Sequence, residues 1–178
     1  LLDGIQVSTK EIADSISFER VLIRDGELSG VDLRDATFSD SILINTDLRG
    51  SNLADSVLDD AVFRDCNLSE TTLTGASLWD TRFRNTDLSN ADLTTARLGN
   101  TRVQETTLTE SNLSHLDLAN SYLEDVDLTA ATLHSCDFSN LNSIDVTLTD
   151  ADLTDANLSS VRLQNADLSG ANLAGADL

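Results

Sequence analysis

The sequence predicts an all-β solenoid, a parallel β-helix in which four consecutive pentads complete one coil. From Phe18 to Leu178, the central residue of each pentad is large and apolar in 32 of 33 cases. The residue two positions earlier is small in 30 of the 33. A period of five matches neither the 3.6-residue repeat of a helix nor the two-residue repeat of a strand. Four straight sides, one pentad each, return every large side chain to one core, with coils stacked about 4.8 Å apart.

Residues 1–15 do not follow the repeat and form the first of two predicted regions, an N-terminal cap. Ser8-Thr9-Lys10-Glu11 has the form of a capping box, in which Glu11 reaches back to the start of a helix. We therefore expect a short helix over residues 9–14. Such a helix covers the apolar end of the repeat core, as terminal units do in other repeat proteins.

Residues 16–178 form the second region, the β-helix itself. Its 33 uninterrupted pentads predict about eight coils and a rod about 40 Å long at the strand spacing. Burial of roughly thirty large side chains, at about 1.5–3 kcal/mol each, stabilises such a rod without disulfides or metals. One centre, Ser143, is polar. We expect Leu141, or Ile144 through a local bulge, to fill the space beside it.

A motif of a small residue, Asp or Asn, Leu and two variable residues recurs along the rod. It appears as Ser51-Asn52-Leu53, Ala91-Asp92-Leu93, Ala151-Asp152-Leu153, Ala156-Asn157-Leu158, Ala166-Asp167-Leu168 and Ala171-Asn172-Leu173. This motif resembles that of the pentapeptide-repeat proteins, and the resemblance covers about nine-tenths of the chain. It implies a right-handed quadrilateral β-helix. It also favours a bacterial source, cyanobacteria and their plastid relatives above all, because the family is abundant there.

The chain carries 31 acidic and 11 basic residues, a net charge of -20. A surface of this charge repels nucleic acids and anionic membranes. No apolar stretch approaches the roughly 18 residues of a membrane span, and no signal peptide is recognisable, so we expect a soluble segment without direct membrane insertion. The cytoplasm, the periplasm and the thylakoid lumen all stay open. Because the chain begins at Leu1 and lacks Met, we expect a processed form or part of a longer protein, whose transit peptide or membrane anchor would lie outside it.

Counting in steps of four pentads assigns every pentad to one of four sides, and only one side is electrically neutral. The sides centred on Phe18, Leu28 and Leu33 carry eight acidic and two basic residues, eight and one, and six and one. The fourth side, centred on Ile23, carries six of each, and we call it the neutral face. Its candidate contact residues are Leu22, Arg24, Ile42, Ile44, Val62, Arg64, Arg82, Arg84, Arg102, Tyr122, Ile144 and Arg162.

Apolar residues grouped with Arg and Tyr are typical of the core of a protein–protein interface. We therefore expect the neutral face to be a contact surface, for self-association or for a protein partner. The alternative is that β-branched residues and Arg simply stack well on a flat β surface. Trp79, which points outward on an acidic side, is a secondary candidate contact, and its alternative is a lone surface aromatic without a role.

The sequence contains no recognisable catalytic site. Its many Ser, Thr and Asp side chains lie in open ladders, without a pocket that excludes water or shifts a pKa. His115 and His134 fall in adjacent coils near Asp155, but exposed ligands with so little support bind metal weakly, so we predict no metal site. Cys66 and Cys136 lie about three and a half coils apart, too far for the Cα separation of about 5.5 Å that a disulfide needs. We expect no enzyme activity and no cofactor.

Two functions remain, of which the first is a non-enzymatic protein-binding or scaffold module. The second is an acidic DNA mimic, because quinolone-resistance proteins of the family that this chain resembles place an acidic β-helix in the DNA-binding groove of gyrase. Residues 16–178 carry a net charge of -18, about one charge per 2.2 Å of rod, against about one per 1.7 Å of duplex DNA.

Two features favour the scaffold over the mimic. The quinolone-resistance relatives dimerise through an apolar C-terminal helix and some carry projecting loops, whereas this chain has no inserted loop and stops on the pentad centre Leu178. The neutral face would also fit a cationic groove poorly. We therefore expect a protein partner or self-association and no nucleic acid, with gyrase as a partner only under the alternative.

Overall fold

The structure, a computed structural model, describes residues 2–4 and 16–178. Within them the chain is all-β, with one parallel sheet whose spatial order follows the chain order, and it contains no helix that could cross a membrane. The helix predicted over residues 9–14 lies outside the described residues. The strands are β1 (Leu2–Asp3), β2 (Leu22–Arg24), β3 (Ile42–Ile44), β4 (Val62–Arg64), β5 (Arg82–Arg84), β6 (Arg102–Thr107), β7 (Tyr122–Asp127), β8 (Asn142–Thr147) and β9 (Arg162–Gln164).

Neighbouring strands from β2 to β9 pair with a constant offset of four pentads, as in Ile23 with Leu43 and Ser143 with Leu163. The predicted parallel β-solenoid is therefore confirmed, with four pentads in each turn and about seven turns between β2 and β9. The expected eight coils also counted the pentads before β2 and after β9, which lie outside this span. The right-handed sense stays a prediction.

Strand β1 extends the sheet by one strand that the repeat did not predict. Leu2 pairs with Ile23. The four-pentad offset would instead place its partner at residue 22, so a count in pentads does not predict this strand. Gly4 donates its N–H to the carbonyl oxygen of Arg24 at 2.9 Å. Its φ of +59° also matches that of the last residue of a pentad. One side of repeat-like structure thus precedes residue 16.

The sides of each turn differ in local structure because of the residue just before the buried centre. On the three acidic sides this residue is Asp or Asn in 15 of 25 pentads. Its Oδ1 accepts the N–H two residues later, as in Asp47 with Arg49 (2.9 Å) and Asn52 with Ala54 (3.1 Å). These Asx turns bend the chain after the centre, and isolated bridges join most of the turns there. The exception is the side centred on Leu28, onto which β6, β7 and β8 continue, so that Thr107, Asp127 and Thr147 pair within the sheet. On the neutral face the position holds Leu, Ile, Val, Arg or Tyr in seven of eight turns, and the chain stays extended as β2–β9.

A residue in the left-handed region closes each pentad at a corner of the turn. All 32 such positions from Arg20 to Gly175 have φ between +49° and +74°. Glycine adopts this region freely, and Asp and Asn tolerate it better than other residues. Of the 27 non-glycine residues at these corners, 18 are Asp or Asn. The corner geometry therefore selects acidic and amide side chains whether or not a partner binds them.

The large central side chains fill the interior, and every one from Phe18 to Leu158 is buried. Aromatic rings stack along the axis, with the centroids of Phe18 and Phe38 4.7 Å apart. Small residues beside the centres are also buried, and their hydroxyls bond to the backbone, as Ser56 Oγ does to the carbonyl oxygen of Leu53 at 2.7 Å. Small polar residues can therefore occupy the narrow interior with their hydroxyls paired; among the described residues Ser51 Oγ is the exception, buried without a hydrogen-bond partner.

Cys66 and Cys136 occupy two of these small positions as free, buried thiols. Burial raises the pKa of Cys66 to about 11 and that of Cys136 to about 12, because a thiolate in the interior loses its hydration. Both thiols are therefore protonated at neutral pH and unsuited to act as nucleophiles.

Ser143 is buried at its central position and donates its hydroxyl proton to the carbonyl oxygen of Arg162 at 3.0 Å. Leu141 is buried beside it, and the two residues line an enclosed cavity of about 10 Å³. Ile144 faces outward and pairs in register with Glu124, so the bulge expected as an alternative does not form. Leu141 takes up the core volume that the serine leaves.

Candidate protein-interaction surface

The structure places all twelve neutral-face candidates on the strands of the sheet, next to the buried centres and on its outer surface. The residues before the centres form one row along the rod: Leu22, Ile42, Val62, Arg82, Arg102, Tyr122, Asn142 and Arg162. The residues after the centres form a second row: Arg24, Ile44, Arg64, Arg84, Gln104, Glu124, Ile144 and Gln164. The neutral face is therefore the outer surface of strands β2–β9, except where β6, β7 and β8 continue onto the acidic side centred on Leu28.

The first part of this surface is the apolar patch, formed by Leu22, Ile42, Ile44 and Val62. Leu22 and Val62 both pair with Ile42 in the neighbouring strands. Ile42 is 41% exposed, and the other three side chains are half-buried. Among the described residues, the other exposed large apolar side chains are Leu2, Trp79 and Leu178. The apolar patch thus groups on adjacent strands side chains that are elsewhere isolated.

The next turns carry the arginine patch, formed by Arg64, Arg82, Arg84 and Arg102. Arg64 pairs with Arg84, and Arg82 pairs with Arg102, across neighbouring strands. Arg84 Nη2 lies 3.4 Å from Glu105 Oε1. Among the described residues, no carboxylate lies within 4.0 Å of the guanidinium of Arg64 or Arg82. The patch therefore holds like charges side by side with little internal compensation.

Beyond the arginine patch the neutral face becomes more polar. The Arg102 guanidinium lies over the Tyr122 ring, 5.4 Å from its centroid, a cation–π arrangement. Desolvation and a hydrogen bond with Glu124 raise the pKa of the Tyr122 hydroxyl. Ile144 and Arg162 lie further along the sheet among polar neighbours. The structure thus brings ten of the twelve candidates into one continuous surface and leaves these last two apart.

Acidic corners border the neutral face along both edges. On the edge that follows it, Asn45 donates to Asp25 at 2.5 Å and Asn85 donates to Asp65 at 2.7 Å, so amides separate some of the carboxylates. The corner residues of the other edge are Arg20, Asp40, Asp60, Asp80, Asn100, Asn120, Asn140 and Ser160. A partner seated on the neutral face therefore meets negative charge at both margins.

Trp79, the secondary candidate, lies on an acidic side and is 47% exposed. Its indole lies against Gly99 of the next turn, where a Cβ would overlap the ring. Gly99 is buried beneath it. Part of the indole surface is thus used in packing between turns, and a contact role for the remainder stays a prediction.

His115 and His134 lie in adjacent turns with their ring centroids 5.4 Å apart. His134 Nε2 lies 3.2 Å from the Oγ of Ser135. The Asp155 carboxylate, named with them in the sequence, lies against Gly175 in the following turn. Within the described part of the chain, no three His, Cys, Asp or Glu side chains are arranged to hold a metal ion.

Sequence profiles of one family match most of the chain. A profile described as "Pentapeptide repeat region" matches residues 16–93, and one described as "Pentapeptide repeats (8 copies)" matches residues 106–142 and 144–178. The chain belongs to the pentapeptide-repeat family. The second match is interrupted at residue 143, where the polar centre Ser143 departs from the repeat. No curated protein matches the chain in sequence.

Solved structures of other pentapeptide-repeat proteins resemble this one at low sequence identity. A trypsin-treated variant of QnrB1, a plasmid-mediated fluoroquinolone resistance protein, is 20% identical with a TM-score of 0.56, over 99% of this chain and 90% of that one. A thylakoid-lumen protein of Arabidopsis thaliana is 28% identical with a TM-score of 0.50, over 51% and 63%. HetL, involved in heterocyst differentiation regulation in the cyanobacterium Nostoc sp. strain PCC 7120, is 26% identical with a TM-score of 0.33, over 92% and 87%. The likeness to QnrB1 establishes the fold alone.

Proposed function

We propose that this pentapeptide-repeat chain is a non-enzymatic protein-binding or scaffold module, and that the neutral face is its contact surface. One observation carries the proposal: the side along which strands β2–β9 all run is also the side that presents apolar and arginine side chains together. In the right-handed, four-sided coil that the family resemblance implies, this face is one flat side of a rigid rod.

The sheet suits the neutral face to binding because it holds the side chains in place before a partner arrives. Each outward residue is fixed between neighbours one strand spacing, about 4.8 Å, away. Pre-organised groups lose less conformational entropy on association. Leu22, Ile44 and Val62 are already half-buried, so a partner completes burial that the sheet has begun. Arg and Tyr, both present on the neutral face, are also among the residue types enriched at binding hot spots.

The alternative function is an acidic DNA mimic that binds gyrase or a related topoisomerase. The three acidic sides support it through their charge density. The neutral face weighs against it, because a DNA-binding groove that surrounds the rod would meet arginines along one whole side. The two functions differ in one assay: a mimic inhibits gyrase supercoiling, and added salt relieves the inhibition. We expect no inhibition.

The contact surface is tested by replacing Ile42 and Ile44 with Asp. Two charges within the apolar patch would be desolvated by any partner seated there, so we expect self-association or partner binding to weaken at least tenfold. A matched control places the same charges on acidic sides through A54D and V57D, and we expect less than a twofold effect. Sedimentation measures self-association. Partners are detected by cross-linking in extracts of the source organism, and their affinities are then measured. Unaltered assembly and partner binding in I42D/I44D would contradict the proposal.

A further inference from the structure

The apolar patch and the arginine patch follow one another along the axis of the rod. The apolar side chains lie on β2, β3 and β4, and the arginines lie on β4, β5 and β6. We infer that the partner docks a protein segment with apolar side chains on the apolar patch and carboxylate side chains on the arginine patch. This inference rests on the proposed function and specifies the chemistry of the partner.

The pairing of arginines elsewhere in the chain shows what the arginine patch lacks. On the acidic sides, three of the four arginines have a carboxylate within 4.0 Å among the described residues, and Arg97 does not. Arg34 Nη2 lies 2.6 Å from Asp32 Oδ2, and Arg49 Nη2 lies 4.0 Å from Asp47 Oδ2. Of the six arginines on the neutral face, only Arg84 has a carboxylate within 4.0 Å among the described residues. In a chain with 31 acidic residues, internal carboxylates are abundant, yet among the described residues only Glu105 pairs with the patch. The guanidiniums of Arg64, Arg82 and Arg102 are therefore available to carboxylates of another molecule.

The stacking of like charges strengthens this argument. Arg64 lies directly across from Arg84, and Arg82 directly across from Arg102. Like charges at facing positions of neighbouring strands destabilise a sheet. A carboxylate placed between two guanidiniums converts that repulsion into two attractive contacts, and the planar fork of Arg favours bidentate hydrogen bonds to carboxylate oxygens. Binding thus relieves an unfavourable arrangement that the fold does not need.

The dimensions of the two patches define the segment that fits them. From β2 to β6 the patches span four strand spacings, about 19 Å. An extended segment of about six residues covers this distance at roughly 3.3 Å per residue. A helix covers it with about 13 residues at roughly 1.5 Å each. In either form, the apolar residues lie at the β2 end and the acidic residues at the β6 end.

The borders of the neutral face favour a short acidic segment over a polyanion. Asp60 and Asp80 lie at the corner before the arginine patch, and Asp65 and Glu105 lie at the corner after it. A nucleic acid would bring phosphates against these carboxylates and against a net charge of -20. A segment with two or three carboxylates contacts only the arginines between the two corners. The patch therefore fits a protein segment.

The inference is tested with a random peptide library displayed on phage and selected on the whole chain. We expect the selected peptides to be enriched in apolar residues together with Asp and Glu. Representative peptides should bind R64Q/R82Q at least tenfold more weakly than the unmodified chain. The matched control, R34Q/R49Q, loses the same net charge from arginines on the acidic sides, and we expect less than a twofold change. Affinity for the unmodified chain should also fall with added salt. Thermal unfolding of each variant checks that the fold is intact.

The outcomes separate this inference from the proposed function. One outcome would overturn the inference and leave the neutral face as the interface. In it, the selected peptides lack acidic residues, bind I42D/I44D more weakly, and bind R64Q/R82Q with unchanged affinity. Peptides that bind every neutral-face variant with unchanged affinity would count against both the inference and the proposed function. A selection that enriches no peptide would do the same. Preference for phosphoserine peptides over their glutamate counterparts, or binding of a single-stranded oligonucleotide, would overturn the assignment of carboxylates as the partner groups.

Discussion

Replacing Leu141 with alanine tests how the solenoid tolerates a polar residue at a central position. Leu141 is 2% exposed and lies beside Ser143, so the two positions together supply one large side chain. Removing about three buried methylene-sized groups costs about 2.4 kcal/mol at roughly 0.8 kcal/mol each. Because Ser143 is too short to fill the space, the added cavity brings the expected cost of L141A to about 3–5 kcal/mol.

The reciprocal change, S143L, restores the large centre without making room for it. The existing cavity is only about 10 Å³, so overpacking should cost about 1–3 kcal/mol, and the carbonyl of Arg162 loses its hydroxyl donor. The double variant L141A/S143L has the small-then-large order of a normal pentad. We expect its stability to lie within about 1 kcal/mol of the unmodified chain, and the coupling between the two changes to be about 3 kcal/mol or more.

Urea unfolding followed by circular dichroism measures these free energies. Hydrogen exchange of the amides in β7–β9 detects a local loss of stability, since repeat proteins can unfold in parts. A control pairs S143L with L28A, more than five turns away, where the two effects should add within about 0.5 kcal/mol. A cost below about 1 kcal/mol for L141A, or a double variant no more stable than the sum of its parts, would refute the idea that Leu141 replaces the missing centre.

Two further predictions concern buried groups. The folded-state pKa values of Cys66 and Cys136, about 11 and 12, exceed the ordinary value of 9.0, so the folded state keeps protons that the unfolded state loses. The free energy of unfolding should be unaffected by these thiols below pH 9 and fall as the pH rises through the folded values, and denaturation at pH 8 and pH 10.5 should show a smaller fall for C66A/C136A. In G99A the new Cβ should displace the indole of Trp79 and cost about 1 kcal/mol. Because Trp79 is the single Trp, its emission should shift to the red, while the control A119G one turn further leaves it unchanged.

The sequence was sufficient to predict the solenoid because each pentad repeats the same packing problem. A large residue every five positions must return to one core, and the constant four-pentad offset from β2 to β9 follows from that requirement. The same regularity allowed outward residues to be assigned to sides, so the twelve neutral-face candidates all lie on one sheet. Register was predictable because a single slip would have moved the apolar centres out of the core.

Features that depend on single residues outside that regularity were not predictable. Strand β1 pairs one position beyond the four-pentad offset, and nothing in the pentad pattern indicates the extra residue. The concentration of strands on the neutral face, beyond which only β6, β7 and β8 continue, reflects the Asx turns of the other three sides. These turns are recognisable in sequence only once the role of the residue before each centre is known. Guanidinium and carboxylate groups lie at the ends of flexible side chains and have several partners within reach. Only the structure shows that Arg34 pairs with Asp32, whereas Arg64 and Arg82 have no carboxylate partner among the described residues.

The distribution of aspartate shows why the acidity of the rod and the arginines of the neutral face have different meanings. Residues 16–178 contain 22 Asp. Eleven of them have positive φ at the corners, and ten precede a pentad centre, where nine accept the N–H two residues later. Asn could serve at both positions, so the fold favours Asp or Asn there without favouring the charge. The choice of Asp adds negative charge, which keeps β rods apart in solution.

Most Asp residues therefore occupy positions where the turns favour Asp or Asn in any case, and charge density alone is weak support for DNA mimicry. The arginine patch has no such structural origin. Its residues take no part in a corner or an Asx turn, and its facing guanidiniums oppose the stability of the sheet. Side chains that the fold does not need, placed on the side along which strands β2–β9 all run, are therefore the stronger support for the proposed contact surface.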